Sequence, residues 1–144
     1  MDFARIIEFT GNHPYLMLAF VGTLAVLVYT ELSRRLSGMK SIGPMAATQL
    51  NNRENALFLD IREDGEYKAG HIPDALHIPL RQLPEHASEL GKHKSRPVIA
   101  YCRSGNRSTA AGSTLKKQGF ENVYNLAGGI TAWEKANLPL STRK

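Results

Sequence analysis

Residues 101–108 of this 144-residue chain read YCRSGNRS and hold its only cysteine. The apolar run 97–100 before them predicts a buried strand, and the segment 109–117 after them predicts a helix. The cysteine therefore lies where a strand ends and a helix begins, in a loop that contains one Gly, one Asn and two Arg. This strand–loop–helix order is the unit from which the rest of the domain can be predicted.

A thiol at the start of a helix meets unpaired backbone N–H groups and the positive end of the helix dipole. Both stabilise a thiolate, so we expect Cys102 to be a nucleophile. The alternative is that Cys102 is a small buried hydrophobic side chain. Ser108 is expected to support the loop structurally, for example as a helix N-cap. We expect an anion-binding cradle from the intervening residues: Arg103, Ser104, Gly105, Asn106 and Arg107.

The remainder of the chain from residue 42 alternates short apolar runs with helix-like segments. This alternation predicts an α/β fold with a mostly parallel sheet and helices on both faces. Strands are predicted at 56–59, 75–78, 97–101 and 123–126, and helices at 44–50, 63–69, 80–90, 109–117 and 130–136. Asp60 and Arg62 follow a predicted strand, and we expect them to form a structural pair at the same edge of the sheet as Cys102.

The segment 14–32 is apolar and carries no charge before Glu31, which predicts a membrane-spanning helix. A cleaved signal peptide and a buried core helix are the alternatives; no small-x-small cleavage site follows the run. Three basic residues follow it, Arg34, Arg35 and Lys40, whereas only Arg5 precedes it, so the positive-inside rule puts the following domain in the cytoplasm.

These boundaries predict three parts of the chain. Residues 1–36 form an amino-terminal segment with a membrane anchor, residues 37–41 a linker, and residues 42–141 the folded domain.

The composition of the chain limits the binding partners and cofactors that we expect. The formal charge is +5, but the basic residues are scattered and form no block typical of nucleic-acid binding. A single free thiol fits a reducing compartment and excludes an intramolecular disulfide. His71, His77, His86 and His93 show no metal-ligand spacing, so we expect neither a metal nor another cofactor.

Four motifs, in order, resemble the rhodanese-like family. They are DIRE at 60–63, EYKAGHIPDA at 66–75, the cysteine loop with its second Arg, and LAGGI at 126–130 followed by Trp133. The likeness spans about residues 41–140, and Asp74 departs from it, because the family usually has Gly there. A single such domain behind an apolar segment resembles the membrane-anchored bacterial rhodaneses, which implies an inner-membrane location.

The resemblance implies sulfur transfer. Cys102 would take sulfane sulfur from thiosulfate or a similar donor as a persulfide and pass it to a thiol or cyanide acceptor. Two other functions stay open. A phosphatase or arsenate reductase would have a Cys-x5-Arg loop, whereas only four residues separate Cys102 from Arg107 here. A membrane-tethered adaptor would use the fold only as a binding surface.

Overall fold

The computed structural model describes residues 12–36, 39–86 and 89–142, with the side chains of all but residues 33–36. The chain divides after Leu36 into two compact units. Residues 1–11 of the predicted amino-terminal segment, and residues 37–38 of the predicted linker, lie outside the described residues.

The first unit contains helix α1, Pro14–Leu36. Its segment Pro14–Leu32 is 19 residues long, has a mean hydropathy of 1.8 and is 0% buried, so it is long and apolar enough to cross a membrane. The hydroxyl of Thr23 donates to the carbonyl of Ala19 over 2.8 Å, so this polar side chain is satisfied within the helix. A signal sequence would have the same length and composition.

The second unit is built on a five-stranded sheet with strand order β1-β5-β4-β2-β3, in which all neighbours are parallel. Its strands are β1 (Lys40–Ile42), β2 (Leu57–Asp60), β3 (Leu76–His77), β4 (Val98–Tyr101) and β5 (Val123–Leu126). Its helices are α2 (Pro44–Glu54), α3 (Asp64–Ala69), α4 (Leu83–His86), a 3₁₀ helix (Glu89–His93), α5 (Asn106–Lys117) and α6 (Gly129–Lys135).

Helices cover both faces of the sheet. The side chains of each strand alternate between the two faces, so each strand contributes to two cores. On one face Leu57 and Leu59 of β2 pack in a core that includes Leu115 of α5. On the other face Phe58 of the same strand packs edge-on against Trp133 of α6, with ring centroids 5.3 Å apart. The predicted fold, a mostly parallel sheet between two layers of helices, is therefore confirmed.

The structure corrects three sequence predictions of local structure. Lys40 and Ser41, predicted as linker, belong to β1 and pair with β5, because a three-residue edge strand is too short to show a hydrophobic pattern. The helix predicted over 80–90 is instead α4 and a separate 3₁₀ helix; Pro84 has no N–H to donate, so α4 begins only at Leu83.

The third correction concerns the start of the helix after the cysteine. Helix α5 begins at Asn106, three residues before the predicted start, and Gly105 is its N-cap residue with a φ of +93°. A left-handed backbone at this point lets the chain enter the helix directly from a tight loop. Ser108 is consequently not the N-cap and lies in the first turn of α5.

Candidate active site

Cys102 directly follows β4, and its side chain is 1% exposed. The backbone N–H of Gly105 donates to its sulfur over 3.2 Å. The chain turns so tightly between β4 and α5 that the N–H groups of the loop point back at the side chain that opens it. The arrangement is a cradle of main-chain donors around one sulfur atom.

The cradle changes the acidity of the thiol. Burial by itself would raise the pKa of Cys102, because it disfavours the charged form. Hydrogen bonds from the backbone and side chain of Ser108 and from the N–H groups of Ser104 and Gly105 outweigh burial and lower the pKa below its usual value. The site therefore favours a thiolate, the form of cysteine that attacks electrophiles.

Ser108 also connects the cradle to the sheet. Its hydroxyl lies 3.7 Å from the Cys102 sulfur, 3.0 Å from the carbonyl of Gly105, and within hydrogen-bond distance of the Asn125 side-chain oxygen. The Asn125 amide in turn donates to the Ser41 hydroxyl over 2.9 Å. Since the Ser108 hydroxyl has one proton for three acceptors, the main-chain N–H groups are the constant donors to the sulfur.

The amino end of α6 holds the cysteine loop from the other side. The N–H of Ile130 donates to the carbonyl of Cys102 over 2.9 Å, and the N–H of Thr131 donates to the carbonyl of Arg103 over 3.2 Å. A Cβ at Gly129 would lie 2.3 Å from the Cys102 carbonyl oxygen, so only glycine permits this approach. The Gly-Gly pair of the carboxy-terminal motif thus fixes the backbone that carries Cys102.

Arg107 forms a two-pronged ion pair with Glu66 of α3, with both N–O distances 2.8 Å. The hydrogen bond to Glu66 is the main cause that raises the pKa of Arg107, and the Cys102 thiolate adds to it. The same bond lowers the pKa of Glu66 to about 2. Arg107 is therefore a permanent cation that Glu66 orients beside the thiol.

The other predicted cradle residues have different surroundings. Arg103, Ser104 and Asn106 are exposed, and Arg103 forms no ion pair with the described residues. Ser104 contributes its backbone N–H to the thiol, as noted above. Arg103 is thus the exposed guanidinium at the rim of the loop, available to an anion from solvent.

Asp60 and Arg62 form a buried pair at the end of the neighbouring strand. The guanidinium of Arg62 donates to both Asp60 oxygens over 2.7–3.0 Å and to the carbonyl of Gly70 over 2.7 Å. The exposed fractions of the two side chains are 6% for Arg62 and 0% for Asp60. Burial alone would lower the pKa of Arg62, but the bond to Asp60 and its charge raise it. The hydrogen bonds of this pair therefore connect the end of β2 to Gly70, just after α3.

Cavities and groups of possible metal ligands are the other features of the described residues that could indicate a site. Two cavities of about 300 and 510 Å³ lie beside the edge strand β3, and Cys102 lines neither. Within the described part of the chain no group of three His, Cys, Asp or Glu side chains is arranged to hold a metal ion. His71 is buried, with its Nδ1 atom 3.1 Å from the Tyr67 carbonyl and its ring stacked on that of Tyr67.

Sequence reasoning missed three residues of the site: Glu66, Asn125 and Gly129. Glu66 stands three residues after Glu63 at a helix start, the spacing of a capping box, but this signal predicts a helix start and not the ion pair with Arg107. Gly129 belonged to a recognised motif, but its contact with Cys102 is made in the fold. Asn125 gave no signal, since a polar residue in a strand is ordinary.

With this geometry in place, the chain can be compared with known proteins. Residues 44–136 match the Rhodanese-like domain family. The Escherichia coli (strain K12) protein YibN, described as uncharacterised, is 34% identical over 137 residues, which cover 94% of this chain and 96% of YibN. The thiosulfate sulfurtransferase GlpE of Coxiella burnetii (strain RSA 331) is 35% identical over 102 residues, 71% of this chain and 92% of GlpE.

Among solved structures, a rhodanese-related protein from Thermoplasma volcanium superposes with a TM-score of 0.65 at 29% identity, covering 72% of this chain and 99% of that protein. The matches to named sulfurtransferases support a sulfurtransferase-like enzyme. By its motifs, its parallel sheet and its cysteine loop, the chain belongs to the rhodanese-like family.

Proposed function

We propose that this protein is a sulfurtransferase that carries sulfane sulfur on Cys102 and is tethered to the inner membrane by α1. The observation that supports the chemistry most directly is the convergence of backbone N–H groups on the only cysteine, with the pKa of that thiol lowered. A cradle of this kind stabilises negative charge on sulfur in the free enzyme and in a persulfide alike.

The first half-reaction is a displacement at sulfur. The Cys102 thiolate attacks the outer sulfur of thiosulfate, the S–S bond of the donor breaks, and sulfite leaves with the bonding electron pair. The new S–S bond makes Cys102 a persulfide, whose terminal anion replaces the thiolate in the cradle. Because the thiol is only 1% exposed, a dianionic donor first meets the exposed Arg103, and then Arg107 beside the sulfur.

The second half-reaction needs an external acceptor. Since the chain has one cysteine, no internal thiol can reduce the persulfide. A thiol or cyanide attacks the outer sulfur, takes it, and leaves the Cys102 thiolate. The name of the Coxiella burnetii relative, thiosulfate sulfurtransferase, supports thiosulfate as the first donor to test.

The deciding experiment measures thiocyanate formation from thiosulfate and cyanide by the wild type and by Cys102→Ser. We expect activity in the wild type and a loss of about 10³-fold or more in the variant, because removal of a nucleophile abolishes the covalent route. Intact-protein mass spectrometry after thiosulfate alone should show a gain of one sulfur atom in the wild type only.

Other outcomes separate the competing functions. Hydrolysis of p-nitrophenyl phosphate without sulfur transfer would support a phosphatase, although four residues between Cys102 and Arg107 make a smaller ring than Cys-x5-Arg. A partner that co-purifies equally with wild type and Cys102→Ser, with neither substrate consumed, would support an adaptor.

The proposed location rests on α1 and its flanks. The apolar segment is long enough to span, and the basic residues that follow it support a cytoplasmic location for the sulfurtransferase domain, where the thiol would stay reduced. Flotation of the full chain with neutral lipid vesicles tests the span, and protease access in spheroplasts tests the orientation. A mature protein that lacks residues 1–36 would show that the segment is a signal peptide instead.

A further inference from the structure

Many basic residues lie at the end of the sheet where the strands begin, opposite the end that carries Cys102. In a parallel sheet the strands begin at the same end, and here α2 and α5 end near that end. Helix α3 does not, because β3 pairs only with Leu59 and Asp60 at the far end of β2, and Gly70 just after α3 accepts from Arg62.

Of the described residues, seven Lys and Arg side chains belong to the end where the strands begin, which we call the basic edge: Lys40, Arg53, Lys92, Lys94, Arg96, Lys116 and Lys117. Three acidic residues lie at the same edge: Glu54, Glu121 and Asp74, which lines a cavity with Leu57 at the start of β2.

One contact within the domain connects two of these segments. Arg96 is two residues before β4, and the ammonium group of Lys94 lies 5.7 Å from the ring centroid of Phe120, just beyond the carboxyl end of α5. That end carries Lys116 and Lys117. Of the seven, all are exposed except Arg96, which is partly buried.

Helix stability alone does not explain this distribution. Arg53, Lys116 and Lys117 are in the last turns of helices, where the macrodipole favours cations. Lys40 and Lys94 are in a strand and a turn, where no dipole favours them, yet they have the same sign.

The active-site edge differs in its charge balance. The basic side chains near it are Arg62, Lys68, Arg81, Arg103 and Arg107, and the acidic ones are Asp60, Glu63, Asp64 and Glu66. Three of the four arginines are within 4.0 Å of a carboxylate of this set. The basic edge thus carries seven basic and three acidic residues, and the active-site edge five basic and four acidic ones, so the excess of positive charge is larger at the edge away from the cysteine.

The chain enters the domain at the basic edge. Lys40 opens β1 and is four residues after Leu36, the last residue of α1. If α1 spans a bilayer, Lys40 is the residue of the basic edge that follows the span most closely in the sequence.

We propose that the basic edge binds the headgroups of anionic phospholipids and so holds the Cys102 loop towards the cytoplasm. This inference rests on the membrane span proposed above. The seven cations act within the Debye length of about 8 Å at physiological salt only if the edge lies on the surface. A four-residue strand is about 13 Å long, so the cysteine loop is lifted beyond that layer and serves soluble donors and acceptors.

The test compares the full chain in vesicles of phosphatidylcholine alone and in vesicles that also contain phosphatidylglycerol. Mass spectrometry follows the acetylation rate of each lysine. Lys92, Lys94 and Lys117 should react about fivefold more slowly in the anionic vesicles, and 1 M salt, with a Debye length of about 3 Å, should restore their rates. The exposed Lys68 of α3 is the internal control, with equal rates in both vesicles.

A matched pair of variants localises the effect. Lys92→Glu should weaken the protection of Lys94 and Lys117, whereas Arg81→Glu, the same charge change near the other edge, should leave it intact. Equal acetylation rates in the two kinds of vesicle, in a chain that floats with both, would refute lipid binding by the basic edge without contradicting the membrane span.

The remaining outcomes also discriminate. Flotation with anionic vesicles alone, with the lysines protected, would refute the span and support the basic edge as a lipid-binding surface. Protection by RNA or by an acidic protein, but not by anionic vesicles, would overturn the proposal in favour of another polyanion.

Discussion

Two polar clusters follow neighbouring strands at one edge of the sheet, and they use their charges in opposite ways. Asp60 at the end of β2 is in register with Tyr101 at the end of β4, directly before Cys102. The Asp60–Arg62 pair is buried, and its donors are directed to acceptors within the domain. In the cysteine loop several N–H groups converge on one sulfur instead.

The difference shows what separates a supporting cluster from a chemical one. Both clusters are polar residues after a strand, and both contain arginine. In the first, charges neutralise each other and join secondary structures. In the second, donors are directed at an atom that can change its charge and its bonding, and Arg103 stays exposed. The predictions below test this contrast, beginning with the largest effect.

Asp60→Asn should destabilise the domain by about 3–5 kcal/mol, because it leaves the Arg62 charge buried without its partner. Urea unfolding measures the loss. Arg81→Gln is the control: its pair with Glu63 is long, at 4.0 Å, and exposed, so we expect a change below about 0.5 kcal/mol. A stable Asp60→Asn protein that no longer transfers sulfur would place this pair in the chemistry instead.

Ser108→Ala should reduce sulfur transfer roughly tenfold at neutral pH, the effect of one lost hydrogen bond to a charged group. The variant removes a donor that lowers the pKa of Cys102, so that pKa rises and less thiolate is present at neutral pH. The activity should therefore recover as the pH is raised, which a purely structural defect would not do. Ser113→Ala, an exposed serine of the same helix, is the control.

Glu66→Gln should remove an acid-dependent part of the stability. The pKa of Glu66 is lowered in the folded state from 4.5 to about 2, so its stabilisation is complete above pH 4.5 and is lost as the pH falls towards 2. The partly exposed Arg107 limits the effect to about 1 kcal/mol or less. Urea midpoints of wild type and variant should thus converge near pH 2, and an equal difference at both pH values would contradict the assignment.

The sequence predicted the fold and the position of Cys102 better than it predicted the contacts around them. Hydrophobic runs and one strand–loop–helix unit were enough to predict the sheet and to place Cys102 between β4 and α5. Glu66 and Asn125 could not be assigned to the site from the sequence, because their roles depend on distant contacts. Glu66 binds Arg107, which is 41 positions away, and Asn125 binds Ser41, which is 84 positions away. The early start of α5 was missed because Gly105 was read as part of a longer loop.

Asp74→Gly is the smallest of these changes and tests the position at which the chain departs from the family pattern. Asp74 is exposed and has a φ of +59°, a left-handed conformation that costs a non-glycine residue about 1 kcal/mol. Glycine removes this cost but gains freedom in the unfolded chain, so we expect a stabilisation of at most about 1 kcal/mol, with sulfur transfer unchanged. Asp74→Ala keeps the strain and loses the polar side chain, so urea unfolding should show a lower stability than wild type. If Asp74→Gly were instead less stable than the wild type, the aspartate side chain would be contributing a stabilising interaction that outweighs its backbone strain.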